Sequence, residues 1–229
     1  MILNISGAEI TEASILTDRK IIFLVLLICS VFAALSYTFW DVGIAYYFKY
    51  GTGSQFREPA KIITVLGDAK WYYGLLIILL LIFYFIKKNK LFFTRVAYVL
   101  FSLITAGIIN SSIKWLAGRH RPKNLFQHDL YGFSFFGTSY ELTSFPSGHT
   151  SVVFCIAAAV AILFPRWSIP VFAAALVIGI SRAVITVHFL GDVIGGAATG
   201  IISALIVKII FEKRQVNLHG NFNIATKSQ

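Results

Sequence analysis

Long uninterrupted apolar segments are the feature that most limits how this chain can fold. A helix of about 20 apolar residues crosses the roughly 30 Å hydrocarbon layer of a bilayer. Barrel strands would alternate apolar and polar residues, whereas the apolar segments here are continuous. The sequence therefore predicts an all-α polytopic membrane protein with a six-transmembrane-helix bundle, whose spans cover approximately residues 21–40, 71–86, 92–113, 150–164, 169–187 and 193–211.

The composition supports a membrane protein, because only 13% of the 229 residues are charged, about half the share in soluble domains. No repeat or linker divides the chain, so we predict a single membrane domain over residues 1–229. Residues 1–18 are predicted to form a short cytoplasmic lead, whose acidic residues argue against a cleaved signal peptide. Residues 212–229 are predicted to be a poorly ordered polar tail. Residues 41–70 suit either a helix lying in the membrane interface or an ordinary connecting loop.

The distribution of basic residues predicts the orientation in the membrane. Six spans place both termini on one side, and basic residues flank the spans on that side: Arg19, Lys20, Lys87, Lys88, Lys90, Arg166, Lys213 and Arg214. The positive-inside rule makes that side cytoplasmic. The net charge of +10 thus reflects topology, and no basic stripe on a soluble fold exists to bind nucleic acid. The isolated residues Cys29 and Cys155 lie in apolar segments and are expected to pack there.

Three short motifs place ionisable residues at the ends of apolar segments, where such groups mark functional sites. They are Lys114 followed by six residues and Arg121-Pro122, then Pro146-Ser147-Gly148-His149, then Ser181-Arg182 followed by five residues, His188, three residues and Asp192. The topology places all three motifs on the non-cytoplasmic side. This result is independent of the motifs themselves.

In order and spacing, these motifs resemble those of the type 2 phosphatidic acid phosphatase superfamily. The resemblance covers roughly residues 71–211. It implies that His188 is a nucleophile that forms a phosphohistidine, that Asp192 orients it, and that His149 is the general acid. It further implies that the Ser147 hydroxyl and the Gly148 amide bind the phosphoryl group, and that no metal or other cofactor is needed.

The residue types fit this chemistry, although each has a simpler interpretation. A carboxylate four residues after His188 can fix the imidazole tautomer, but a His–Asp pair can also merely join two helix ends. Ser147 is a natural N-cap of the helix that His149 begins, and a helix N-terminus attracts phosphate oxygens. The alternative is a capped helix whose histidine faces water.

Three cations complete the predicted site. Lys114 and Arg121 are seven residues apart, so a continuing helix would project both from one side. With Arg182 they would hold the three equatorial oxygens of a transferring phosphoryl group. A snorkelling anchor is the alternative for Lys114. Other polar residues of the region, namely Arg119, His120, Lys123 and His128, are expected to be solvated loop charges, and Ser181 to bond either an arginine or a neighbouring helix.

The sequence thus predicts a metal-independent lipid phosphatase of the bacterial inner membrane, with its active site facing the periplasm or outside. Candidate substrates are undecaprenyl diphosphate, phosphatidylglycerophosphate, phosphatidic acid and a lipid A phosphate. Three alternatives remain: a lipid-to-lipid phosphotransferase, a non-catalytic lipid-binding or scrambling protein, and a vanadate-dependent haloperoxidase. The partners are the bilayer and the lipid phosphate, without nucleic acid, and the oligomeric state is open.

Overall fold

The computed structural model describes residues 7–220 of the chain, with side chains from Thr11 onward. These residues are overwhelmingly helical, and no β-strand occurs among them. The helices are α1 (Gly7–Leu35), α2 (Asp41–Tyr50), α3 (Arg57–Thr64), α4 (Ala69–Leu81), α5 (Lys90–Ala117), α6 (Pro122–His128), α7 (Gly148–Leu163), α8 (Ser168–Val184) and α9 (Leu190–Lys213). Short π-helical or 3₁₀ turns extend or join them at Ser36–Trp40, Thr52–Phe56, Val65–Gly67, Ile82–Ile86, Tyr140–Leu142 and Pro165–Trp167.

Local sequence signals explain where the long helices begin and end. The Asp68 side chain accepts the Lys70 amide at 3.1 Å and caps α4, and the Asn89 side chain accepts the Phe92 amide at 3.1 Å and caps α5. Gly118 ends α5 in the left-handed conformation with φ of 57°, where its amide bonds the Lys114 carbonyl. The chain therefore turns sharply just after Lys114.

The structure confirms an all-α membrane protein, but length and composition do not establish the predicted count of six spans. Among the described residues, five helical segments are long and apolar enough to cross a bilayer. They comprise Thr11–Tyr50, Thr52–Ile86, Lys90–Ala117, Pro165–Val184 and Leu190–Lys213. The sixth predicted span, 150–164, corresponds to the apolar helix α7, which has only 16 residues.

The predicted lead and the described part of the predicted tail both contact the bundle. Helix α1 begins at Gly7, and Asp18 within it forms an ion pair with Lys208 of α9 at 2.5 Å. After α9 ends, Leu218 is buried and its carbonyl accepts the Arg95 side chain at 2.8 Å. Residues 1–6 and 221–229 lie outside the described part.

Glycines let α9 pack closely against α7. A Cβ added to Gly196 would lie 2.5 Å from the Ser147 carbonyl oxygen, and one on Gly200 would overlap the backbone of Ser151. Tyr98 of α5 donates its hydroxyl to the Ala204 carbonyl at 3.1 Å, which joins a third helix to this pair. Helices α5, α7 and α9 thus form the centre of the bundle, around buried Cys155.

The interpretation of residues 41–70 as an ordinary loop is wrong, because α2 and α3 occupy most of this segment. Helix α3 packs against α8 while it leaves Ile62 77% exposed. The segment therefore forms a helical layer beside the end of α8, close to residues of the third sequence motif.

Candidate active site

The three sequence motifs meet at one end of the bundle, where α5 and α8 end and α7 and α9 begin. The Ser147 amide donates to the Asp192 carbonyl at 2.9 Å, so the second motif is attached to the first turn of α9. The Ser144 amide donates to the Arg119 carbonyl at 3.0 Å, which links the loop after α5 to the approach to α7. The fold therefore fixes backbone segments that are far apart in sequence against one another.

His188 is buried just before α9, with its two ring nitrogens in different surroundings. Its Nδ1 lies 3.5 Å from Asp192 Oδ2 and 3.5 Å from the Ser144 hydroxyl. Its Nε2 lies 3.5 Å from Nη1 of Arg121. Burial lowers the pKa of His188 to about 3, although Asp192 acts in the opposite direction. The resting imidazole is therefore neutral, with Nε2 directed towards a cation.

The Asp192 carboxylate is completely buried and fully hydrogen-bonded. One oxygen accepts the Ser144 hydroxyl at 2.5 Å and the Phe189 amide at 2.8 Å, and the other accepts Arg119 at 2.7 Å. The Phe189 bond also caps the N-terminus of α9. The carboxylate is consequently held in one orientation beside His188.

Lys114 and Arg121 approach each other, but not through the continuing helix that their spacing suggested. Helix α5 ends at Ala117, so Arg121 follows a sharp turn and precedes α6. Both cations instead donate to the Thr143 carbonyl, Lys114 at 2.5 Å and Arg121 at 3.2 Å. The Arg121 guanidinium also lies 3.9 Å from the ring centroid of Tyr140, and burial lowers the pKa of Arg121.

Arg182, at the end of α8, completes the group of cations. Its Nη1 donates to the Thr64 hydroxyl of α3 at 2.7 Å, while its buried Nε has no hydrogen-bond partner. The Arg182 and Arg121 charges lie within electrostatic range of one another and of Lys114. Three partly unpaired cations in one place form a centre suited to an anion.

His149 lies on the first turn of α7, close to this cation group. Its side chain packs against Gly67, where an added Cβ would lie 3.1 Å from His149 Cβ, and it senses the charges of Arg182, Arg121 and Lys114. Ser147 occupies the N-cap position as predicted, but its hydroxyl does not cap the helix. It accepts the Thr150 hydroxyl at 3.0 Å instead. Gly148 follows directly. The nearest atom to a Cβ added at Gly148 would be Oδ1 of Asn110, at 3.8 Å.

The prediction that Arg119 is a solvated loop charge is wrong. The side chain is 1% exposed and forms ion pairs with two buried carboxylates, Asp192 at 2.7 Å and Asp41 at 2.5 Å. Burial alone would lower the pKa of Arg119, but these carboxylates outweigh burial and raise it. The reason is the αL turn at Gly118, which points the following residue into the protein instead of towards water.

Other predicted loop residues have structural contacts only. His120 bonds Ser134 and Asn124, and Lys123 forms an exposed ion pair with Glu141 at 3.0 Å. Ser181 bonds neither an arginine nor a neighbouring helix, because its hydroxyl donates to the Ile178 carbonyl of its own helix at 2.6 Å. Within the described part of the chain, no three His, Cys, Asp or Glu side chains are grouped as a metal cage would require.

Sequence reasoning missed several residues that contact the predicted site. Asp41 directly follows an apolar segment, and its charge at the end of a span was a usable signal. Ser144 and Thr64 carried no such signal, because serine and threonine are common in loops and at helix ends. Only the folded backbone brings them to Asp192 and Arg182.

The fold and this centre define a class: polytopic helical membrane proteins with a polar, cation-rich centre at one end of the bundle. The profile of the PAP2 superfamily matches residues 95–215, and the chain belongs to this superfamily. The resemblance found in the sequence is thereby confirmed, and the protein is a membrane lipid phosphatase of that family.

Curated relatives include two proteins named lipid A 1-phosphatase. The protein from Rhizobium johnstonii is 30% identical over 69% of this chain and 68% of its own length. The protein from Rhizobium etli is 28% identical over 69% of this chain and 72% of its own length. The chain therefore aligns with about two thirds of each relative.

Two solved structures share the fold. One is a transmembrane PAP2-type phosphatidylglycerolphosphate phosphatase from Bacillus subtilis. It superposes with a TM-score of 0.60 and 25% identity, covering 84% of this chain and 96% of that one. Aquifex aeolicus LpxE superposes with a TM-score of 0.55 and 23% identity, covering 73% of this chain and 94% of that one. The helical fold is therefore shared with two solved structures.

Proposed function

We propose that this protein removes a phosphate group from an envelope lipid through a phosphohistidine on His188. The observation that carries the proposal is the asymmetric environment of that imidazole. Its Nδ1 faces Asp192 and its Nε2 faces Arg121, at 3.5 Å in each case. A neutral imidazole whose Nδ1 proton points to a carboxylate presents the Nε2 lone pair to an anion that the cations hold.

In the proposed reaction, Nε2 of His188 attacks phosphorus in line while the bond from phosphorus to the lipid oxygen breaks. Lys114, Arg121 and Arg182 stabilise the negative charge on the equatorial oxygens, with the Ser147 hydroxyl and the Gly148 amide as further donors. Asp192 stabilises the positive charge that develops on His188. The roles of His188, Asp192, Ser147 and Gly148 are those that the family resemblance implied, and the roles of the three cations are those that their charge suggested.

His149 serves as the general acid in this proposal. It gives a proton to the departing lipid oxygen, and then, as a base, takes a proton from the water that cleaves the nitrogen–phosphorus bond. Inorganic phosphate leaves and neutral His188 is regenerated. His149 lies beside all three cations on the first turn of α7, where it can reach the same phosphoryl group. Burial and these cations lower the pKa of His149 to about 4, so the acid role requires the negative charge of bound phosphate to favour the protonated imidazole.

The leading substrate candidate is a lipid A 1-phosphate, because two curated relatives carry that activity in their names. A phosphatidylglycerophosphate is the second candidate, on the strength of the Bacillus subtilis structure. The other predicted lipids, undecaprenyl diphosphate and phosphatidic acid, complete the panel. We place the centre on the periplasmic or outer side, where the basic flanks of the spans put it.

Release of inorganic phosphate by purified protein from each lipid of this panel tests the proposal. His188→Ala, His149→Ala and Arg182→Ala should abolish turnover while the thermal unfolding transition persists. Full activity of His149→Ala would remove that residue from the mechanism. Transfer of phosphate to a second lipid without release of free phosphate would identify a phosphotransferase. If the His188→Ala variant retained the biological function of the protein, that result would identify a non-catalytic lipid-binding protein.

A metal-independent reaction is part of the proposal, since three cationic side chains occupy the position that Mg²⁺ fills in other phosphoryl-transfer sites. Turnover should therefore continue in EDTA. Loss of turnover in EDTA followed by recovery with Mg²⁺ would overturn this part while leaving the lipid phosphatase assignment intact. Halide oxidation with added vanadate would instead reveal the haloperoxidase alternative.

A further inference from the structure

We infer that Asp41 and Arg119 are positioning residues that act on His188 through Asp192. Together they hold the Asp192 carboxylate in place. They also give a net negative charge to the side of the imidazole that faces Asp192. The inference rests on the proposed function, because it takes His188 as the nucleophile. It concerns residues that neither the sequence motifs nor the proposed reaction uses.

A continuous chain of short contacts joins these groups. Asp41 pairs with Arg119 at 2.5 Å, Arg119 pairs with Asp192 at 2.7 Å, and Asp192 lies 3.5 Å from His188. The three charged side chains are between 0% and 1% exposed. Interactions between charges are strong at such a site because water does not screen them.

Asp41 is held as firmly as Asp192. One of its oxygens accepts the Ser36 hydroxyl at 2.6 Å and the Gly191 amide at 2.8 Å. Its other oxygen, which pairs with Arg119, lies 3.3 Å from the Tyr131 hydroxyl. The Gly191 bond is informative, because Gly191 lies on α9 directly before Asp192. Asp41 thereby fixes both the Arg119 side chain and the backbone that carries Asp192.

Aromatic rings close off the Arg119 guanidinium from water. Its Cζ lies 4.9 Å from the ring centroid of Phe189, 5.2 Å from Tyr37 and 5.4 Å from Phe133. The Tyr131 hydroxyl accepts an Arg119 hydrogen bond at 3.2 Å. An arginine enclosed in this way cannot move towards a phosphate, so a direct substrate contact is not its role.

The charge balance explains why two carboxylates serve one arginine. With His188 neutral, Asp41 and Asp192 carry two negative charges against one positive charge on Arg119, so the network is negative by one unit. Attack on phosphorus gives the imidazole a positive charge, which this excess compensates. A transition state is stabilised most by charge that is already in place before the reaction.

The charged groups near His188 act on its imidazole in opposite directions. Arg121 and Lys114 disfavour a positive imidazole, while Asp192 favours it. Without the second carboxylate, Arg119 would neutralise Asp192 and the cations on the substrate side would dominate. Asp41 thus decides the sign of the field behind the nucleophile. It lies before residue 95, outside the segment that the superfamily profile matches.

Asp41→Asn tests the inference, because the amide keeps the shape but removes one charge. We expect kcat to fall roughly tenfold, the size expected for removing one charge near the imidazole at an effective dielectric of about 20. The KM for lipid substrate and the Ki of inorganic phosphate should change less than twofold, because the three cations are untouched. Rapid quenching into alkaline detergent, which preserves the acid-labile phosphohistidine, should show slower phosphorylation of His188.

Asp18→Asn is the matched control, since Asp18 is also a buried carboxylate paired with one cation at 2.5 Å. It lies in the N-terminal half of α1, beside Lys208 in the last turns of α9 and far along that helix from Asp192, and should change thermal stability without changing kcat per folded molecule. If Asp41→Asn unfolds the protein, Ser36→Ala provides a second test. It removes one hydrogen bond to Asp41 and keeps the charge, and should lower kcat by a smaller factor.

Unchanged kcat per folded molecule in Asp41→Asn, in a protein whose His188→Ala variant is inactive, would overturn the inference while the proposed function stands. Equal falls in kcat for Asp41→Asn and Asp18→Asn would likewise show a purely structural role. No phosphate release by the wild-type protein from any lipid of the panel would instead refute the proposed function itself.

Discussion

Replacing Gly196 with alanine should displace the second motif from the third although no polar residue is substituted. The Cβ of the alanine would lie 2.5 Å from the Ser147 carbonyl oxygen, 2.9 Å from Thr150 Cβ and 3.3 Å from the Ser151 amide nitrogen. Ordinary contact begins at 3.4 Å, so the two backbones would have to separate by about 0.9 Å at the closest point. None of these three atoms is the end of a flexible side chain, so the strain cannot be relieved locally.

The expected magnitude follows from that displacement. Separation of this size would stretch the 2.9 Å bond between the Ser147 amide and the Asp192 carbonyl, and it would move His149 away from His188. A misplacement of about 1 Å can cost roughly a hundredfold in rate. Overpacking of a helix contact typically costs about 1–3 kcal/mol in stability, partly offset by about 1 kcal/mol of helix propensity gained over glycine. We therefore expect kcat to fall about a hundredfold while stability falls only modestly.

Phosphate release and thermal unfolding of the purified variants in detergent provide the assay. Gly74→Ala is the control, because an added Cβ there meets nothing within 4 Å. It should retain wild-type kcat and unfold at the same or a slightly higher temperature. A Gly196→Ala protein with wild-type kcat would refute the reasoning, since it would show that the contact between α7 and α9 does not set the geometry of the centre.

Three further predictions follow from particular contacts. Thr64→Val removes the hydroxyl that accepts a hydrogen bond from Arg182 at 2.7 Å. Because such a bond is worth about 1 kcal/mol, the KM should rise several-fold. The control Thr38→Val removes an exposed hydroxyl and should not change the KM. Gly118→Ala should lower both stability and kcat, because φ is 57° and the new Cβ would lie 2.6 Å from the Phe135 amide nitrogen; unaltered thermal unfolding would contradict this. Burial lowers the pKa of His188 to about 3, whereas the unfolded chain protonates it near pH 6.5, so the free energy of unfolding should fall as the pH drops through that window. Unfolding measured at pH 7.5 and 4.5 should show a smaller difference for His188→Gln than for the wild type.

The sequence was sufficient for the fold class and for the residues that meet at one end of the bundle. Continuous apolar segments leave helices as the only suitable element, and the motifs lie at the ends of those segments. Helix ends were less predictable, because polar residues do not always end a helix. Asp18 continues α1 since it pairs with Lys208, a contact that joins residues 190 positions apart.

Side-chain directions in the loop after α5 could not be predicted from spacing. The spacing of seven positions from Lys114 to Arg121 suggests one helical face, but Gly118 ends the helix between them. The same turn buries Arg119, which composition alone assigns to the surface because arginine is rarely fully buried. Its two carboxylate partners come from residues 41 and 192, and no local pattern links them.

The contacts separate the groups proposed to react from the groups that hold them. The residues predicted to touch phosphate lie between positions 114 and 192, inside the segment matched by the superfamily profile. Their supports include Thr64 on Arg182, Gly67 against His149, and Asp41 on Arg119, all of which lie before it. The proposed site is therefore built from the matched segment together with the helical layer of residues 41–67. Because that layer also borders the cation group, it is where we expect discrimination between lipid headgroups to arise.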